Sequence, residues 1–202
     1  MTLQNRVNPY GDLGSTDARG TLMGNRGGKF HRDRQLVGRR RWASDRWICC
    51  ALEFKGRHRT VWGHGYTELF FLDELTALAA GHRPCFKCRR DAAEAFSLAF
   101  ANAVSCDIAP KIIDKVLHAE RLDGKAKRRH ARKIDTLPDG AMVTLGGDAF
   151  AVRGERLLRW TPSSYDETRQ RPPAGDVDVL TPPSILAVLE RGYRPLWHPS
   201  AD

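Results

Sequence analysis

The chain has 202 residues, 41% hydrophobic and 28% charged, which suits one or two small globular units and excludes a disulfide-stapled miniprotein. No run approaches the eighteen or so uncharged apolar residues that a membrane span requires, so no membrane partner is expected. Its 33 Lys and Arg outnumber 24 Asp and Glu, a net charge of +9 that points toward a polyanionic partner.

Taken in chain order, residues 1–40 are rich in glycine and arginine with little periodicity and read as a basic N-terminal arm. From Arg46 to Phe54, the alternation of Ile48, Cys50, Leu52 and Phe54 with Trp47, Cys49, Ala51 and Glu53 predicts a strand, paired as a hairpin with His58 to Trp62. Asp73 is positioned to cap a short helix over 74–80 that Gly81 stops. Pro84 then opens a longer helix with Cys85, Cys88, Ala92, Phe96 and Ala99 on one stripe. Pro110 starts a third helix whose Ile112, Ile113, Val116 and Leu117 face the core, ended by Gly124. Short strands at 141–145, 149–152 and 156–160 form a β-meander, residues 161–175 read as a loop, and 177–180 as a last strand. A C-terminal helix is entered by Pro182-Pro183 and closed by Gly192. The expected fold is therefore α+β: a basic arm (1–40), a hairpin-plus-helices module (41–105), and a C-terminal region (106–202) with a basic loop, meander and helix.

The five cysteines, an odd number, and the absence of an apolar leader predict a reducing, cytoplasmic setting with thiols free or metal-bound. Cys85-x-x-Cys88, flanked by Arg83, Lys87, Arg89 and Arg90, is suited to ionised sulfur and to zinc, although buried inert thiols or a redox pair use the same spacing. Zinc needs two more ligands. Cys49 and Cys50 are candidates, but neighbours on a strand point to opposite faces, so only one of them is expected to reach the ion. His31, His58, His64 and His82 compete for the fourth place.

The stretch Phe70 to Arg90, ending Ala-Gly-His-Arg-Pro-Cys85-Phe-Lys-Cys88-Arg-Arg, resembles the end of the zinc-binding module of bacterial Ada-type DNA alkylation-repair proteins. The resemblance extends more loosely over 46–100. It implies that Cys85 and Cys88 form the second zinc-ligand pair and that DNA is the partner. Where the family's first pair is separated by three residues, this chain has the adjacent Cys49 and Cys50, so the resemblance leaves the remaining ligands open. No alkyltransferase motif follows.

Two basic clusters are candidates for phosphate contact: residues 19–59, with twelve Lys or Arg against three acids, and 121–133, with seven against one. The residues expected to touch nucleic acid, with DNA the expected form, are Arg39, Arg40, Arg41, Arg89, Arg90, Lys127, Arg128 and Arg129, with Trp42, Trp47 and Trp62 near enough to stack on bases. Repair or a related transaction is the expected setting, with zinc mainly structural. The alternative is an enzyme acting on nucleic acid or a nucleobase: a nuclease, a glycosylase or a zinc deaminase-like hydrolase. Its first candidates are His118 and Glu120, which lie about 160° apart on a regular helix; His64 and Glu68 are a second pair. Asp114, His118 and Arg121 share a helix face that reads as a polar surface site.

Overall fold

The computed structural model describes residues 2–56, 60–104 and 109–202. It is an α+β molecule with two six-stranded sheets, two small hairpins and four α-helices among the described residues. The first sheet runs β2 (Leu13–Gly14), β1 (Arg6–Val7), β7 (Leu69–Phe71), β3 (Leu22–Arg26), β6 (Trp47–Ala51), β8 (Arg83–Pro84). Pairing is antiparallel except for β1 with β7 and β6 with β8. The hairpin of β4 (His31–Arg32) and β5 (Gln35–Leu36) follows β3 in the chain.

The segment read as an arm therefore supplies half of a sheet. Its glycines are structural: a Cβ on Gly24 would lie 2.2 Å from the Ile48 carbonyl oxygen, and one on Gly20 would lie 1.8 Å from that of Phe71. Only glycine lets β3, at Gly24, and the chain two residues ahead of it, at Gly20, approach β6 and β7 this closely. The expected hairpin is corrected in the same way. Among the described residues β6 pairs with β3 and β8, and residues 60–62 are not strand; the predicted partner's first residue, His58, lies outside the described residues.

Helix α1 (Glu74–Ala79) begins as expected, with Asp73 Oδ1 accepting from the Thr76 amide at 2.9 Å, and Gly81 follows it at φ +85°. All six helical residues are buried. Leu75 and Ala79 pack on the second sheet, Ala77 on the first, and Leu78 on the other helices, α2 (Arg90–Val104), α3 (Pro110–Arg121) and α4 (Pro183–Glu190). Helix α2 starts six residues later than expected and buries Ala93, Phe96, Ala99 and Phe100. On α3, Ile113 and Leu117 are buried, whereas Ile112 is exposed; the helix ends at Arg121, and Gly124 instead turns the hairpin of β9 (Leu122–Asp123) and β10 (Ala126–Lys127).

The second sheet, wholly antiparallel, runs β11 (His130–Lys133), β16 (Asp176–Val179), β12 (Met142–Leu145), β13 (Asp148–Arg153), β14 (Arg156–Trp160), β15 (Tyr165–Gln170). The predicted meander is present. Two strands were not expected, β11 inside the basic run and β15 inside the supposed loop; both are edges with mostly exposed polar residues, which guards an unpaired edge and erases the apolar signal.

The two carboxylates at the start of α1 join the halves. Asp73 also accepts from Tyr165 Oη at 2.8 Å and the His198 amide at 3.2 Å. Glu74 accepts from Tyr193 Oη at 2.7 Å, the Leu196 amide at 2.8 Å and Arg89 Nη2 at 2.7 Å, with the Glu74 and Arg89 side chains 1% and 7% exposed. Glu74→Gln leaves the Arg89 guanidinium buried without its counter-charge, and the expected loss is about 3–5 kcal/mol of unfolding free energy by chemical denaturation; a loss below about 1 kcal/mol would show that the pair is not structural.

Candidate metal centre and basic face

The parallel pairing of β6 with β8 brings the cysteines together. Cys49 lies opposite Pro84, and its carbonyl accepts from the Cys85 amide at 2.9 Å, so the next residue on β6, Cys50, meets the turn that follows β8. Cys85 and Cys88 sit in that turn, ahead of α2, not on one helix face. The sulfurs of Cys50, Cys85 and Cys88 all lie within 4.8 Å of one another and could hold a metal ion. Sulfurs on a tetrahedral ion with bonds of about 2.3 Å sit ~3.8 Å apart, so the set fits after small side-chain shifts. The Lys87 amide points at Cys85 Sγ, 3.4 Å away, the Cys88 amide also donates to Cys85, and the Ala51 amide donates to Cys88. Hydrogen bonds with Cys50 and Cys88 hold the Cys85 thiol far below its ordinary value, while the bonds of Cys50 to Cys85 and Cys88, with burial, push Cys50 up. Amides aimed at sulfur favour thiolate, which is the metal-binding form.

The expectation that only one of the adjacent cysteines reaches the ion agrees with this geometry. Cys49 turns the other way into the core with Leu69, Phe71 and Ala77, its sulfur 3.4 Å from Arg89 Nη1, and burial raises its pKa. His31 is buried, with Nδ1 2.8 Å from Thr67 Oγ1 and its ring stacked on Trp62, while His64 is exposed. His82 is buried between the Ala77 carbonyl and Arg26, where burial holds it neutral, well below its ordinary value. No histidine joins the sulfur group among the described residues; His58 and Cys106 lie outside them.

The group faces a cavity of about 340 Å3 whose lining includes Asn25, Tyr66, Glu68 and Phe70. Glu68, 3% exposed, accepts from the Trp62 amide through Oε2 at 2.8 Å. Nothing in the spacing of Asn25 marked it beforehand, and Glu68 was expected only as the partner of His64, which is exposed, because β3 and β7 meet only in the folded sheet.

Of the residues expected to contact phosphate, Arg39 and Arg40 are exposed and Arg41 is half-buried. They line a groove of about 480 Å3 with Trp42 and Lys125. Arg90 is exposed and paired with Glu94 at 2.9 Å. Arg128 faces Asp123 at 4.0 Å, and Arg129 faces Asp178 at 3.6 Å. One assignment needs correction: Arg89 is committed to Glu74 in the interior. Lys127 is half-buried, its ammonium donating to the Ala79 carbonyl at 2.5 Å. Trp62 is buried, so its stacking on a base is excluded in this conformation.

The fold does not bring His118 and Glu120 together. His118 Nδ1 is 2.6 Å from Arg121 Nη2, with the edges of Trp42 and Trp47 near its ring. Glu120 accepts from the Ser184 amide at 2.9 Å and its hydroxyl at 2.6 Å, in the first turn of α4, where a carboxylate satisfies free amides. The polar face of α3 points inward: Asp114 takes a bidentate bond from Arg83 at 2.8 and 2.9 Å, 4% and 6% exposed. No family model, curated protein or solved structure matches the chain.

If the three sulfurs act as one donor set, Cys50→Ser, Cys85→Ser and Cys88→Ser will each reduce metal content from one ion per chain by at least about tenfold under chelator competition. Cys49→Ser, His31→Gln and His64→Gln will retain it. Elemental analysis of the purified variants checks this.

Proposed function

We propose that this protein binds nucleic acid, DNA in particular, in repair or a related transaction, with a zinc ion held by Cys50, Cys85 and Cys88. An all-sulfur set from a strand and a C-x-x-C turn suits a thiophilic, tetrahedral ion without redox chemistry, as zinc is. The zinc would fasten β6 to the turn leading into α2. The resemblance of residues 70–90 to the Ada-type module supports the same reading.

One observation carries the nucleic-acid part. Arg39, Arg40 and Arg41 meet Lys125, from the second basic run, along a single groove beside Trp42. The side-chain bonds of Arg40 and Arg41 go to backbone carbonyls of Trp42, Gly38 and Arg40. No carboxylate pairs with the three arginines among the described residues. Uncompensated guanidiniums beside an indole suit a phosphate backbone and a stacked base. Fluorescence anisotropy with single- and double-stranded oligonucleotides across a salt series tests it. Replacing Arg39, Arg40 and Arg41 by Ala should weaken binding at least about tenfold and flatten the log–log salt dependence by ~2–3. Absence of binding at low salt, or binding indifferent to salt, would overturn the reading.

A second reading, an enzyme acting on a nucleobase or related small molecule, is favoured by the donor set. Three sulfurs, not four, come together among the described residues, and they face the cavity with Asn25 and Glu68. A metal with an exchangeable fourth position supplies Lewis acidity or an activated water. In the cobalt-substituted protein, visible bands that shift on adding imidazole or azide would support this; bands unmoved by either would leave zinc structural.

A further inference from the structure

A second feature is independent of the sulfur group. Between the first sheet, α3 and the β9–β10 hairpin lies a cavity of about 40 Å3 whose lining includes Arg26, Arg41, Arg121, Lys125 and Lys127. The sole carboxylate among its lining residues is Asp12, exposed at the surface.

Arg26 and Arg121 are each 1% exposed, and both guanidiniums stack on the Trp47 ring, at 3.9 and 4.0 Å from its centroid. Their donors reach Gly11, Arg41, Gly81 and Asp45 carbonyls and the rings of His82 and His118. Among the described residues the Lys127 ammonium donates to the Ala79 carbonyl alone. None of the three pairs with a carboxylate within 4.0 Å among the described residues. Arg121 Nε is, among those residues, the one buried side-chain nitrogen or oxygen without a hydrogen-bond partner.

Carbonyls and a ring face orient cations but do not neutralise them. Interior charges are ordinarily paired, because an unpaired one costs several kcal/mol. Burial first, and then the neighbouring Arg121 and Arg26, press Lys127 down to about 7. Burial and Arg121 likewise lower Arg26 to about 9, against the weaker opposing pull of Asp12. Asp114 and Asp45 act on Arg121 in the opposite sense to burial, but Asp114 already holds Arg83. The cluster is thus short of negative charge, and the cavity has room for roughly three waters, the scale of a phosphate group's terminal oxygens.

We propose that the Arg26, Arg121 and Lys127 cavity binds a tetrahedral oxyanion, a phosphate group. It shares Arg41, Trp42 and Lys125 with the groove assigned to nucleic acid. The phosphate therefore belongs either to free inorganic phosphate or to the end of a nucleic-acid strand lying in that groove. The second source rests on the reading above; the site itself does not.

Two measurements on the full chain test this and separate the sources. In the first, Tm in about 10 mM inorganic phosphate is compared with Tm in chloride of equal ionic strength; a rise of about 2–4 °C is expected. In the second, oligonucleotides ending in a 5′-phosphate, a 3′-phosphate or only hydroxyls are compared, and tighter binding by about tenfold of one phosphorylated end makes a strand end the source. A Tm rise without any oligonucleotide binding supports free phosphate and removes the nucleic-acid reading. Lys127→Met, which removes a half-buried charge, should abolish both effects; the exposed Lys125→Gln, safer for folding, should at least halve them. Equal affinity for all three ends together with no phosphate-specific Tm shift overturns the site while leaving the nucleic-acid reading intact, and full effects in both variants overturn it as well.

Discussion

The arrangement hangs on α1, a helix so short that no solvent-facing side remains. Its apolar residues face three different core clusters, and the two carboxylates at its start would be prohibitive in such surroundings without partners. Asp73 and Glu74 find them in Thr76, Tyr165, Tyr193 and Arg89 and in the amides of Leu196 and His198. The C-terminal residues are thereby tied to the centre of the molecule. Through Arg89 the same hub holds the residue that follows Cys88, so the sulfur turn and the far end of the chain share one buried charge pair.

The sulfur group follows from strand pairing more than from the C-x-x-C spacing. Two sulfurs in a turn form half a donor set; the third arrives because β8 runs parallel to β6 at a register that puts Cys85 beside Cys49 and Cys50. Alternation along β6 then decides which of the adjacent cysteines takes part. One sulfur enters the group, and its neighbour packs among Leu69, Phe71 and Ala77.

The basic residues divide into two populations with different physical roles. Arg83 and Arg89 are buried against carboxylates and hold elements together. Among the described residues Arg39, Arg40 and Arg41 stay near the surface without such partners, and the buried Arg26 and Arg121 and the half-buried Lys127 line a small cavity, also without them. Net charge alone does not distinguish these groups, since every Lys and Arg in them counts the same toward the +9 total.

The sequence by itself determined what local chemistry dictates: the Asp73 cap, the glycine stop after α1, Pro110 opening α3, the meander, α4, and a metal-competent C-x-x-C with a single participant from Cys49 and Cys50. Tertiary structure decided the rest. The strand β3 was hidden because its glycine, Gly24, marks close backbone approach, a property of its neighbours. The edges β11 and β15 were hidden because an edge strand carries polar residues where apolar ones would advertise it. Which arginines remain available, and that Arg26, Arg121 and Lys127 converge on one cavity, depended on contacts between segments about a hundred residues apart, where periodicity and spacing carry no information.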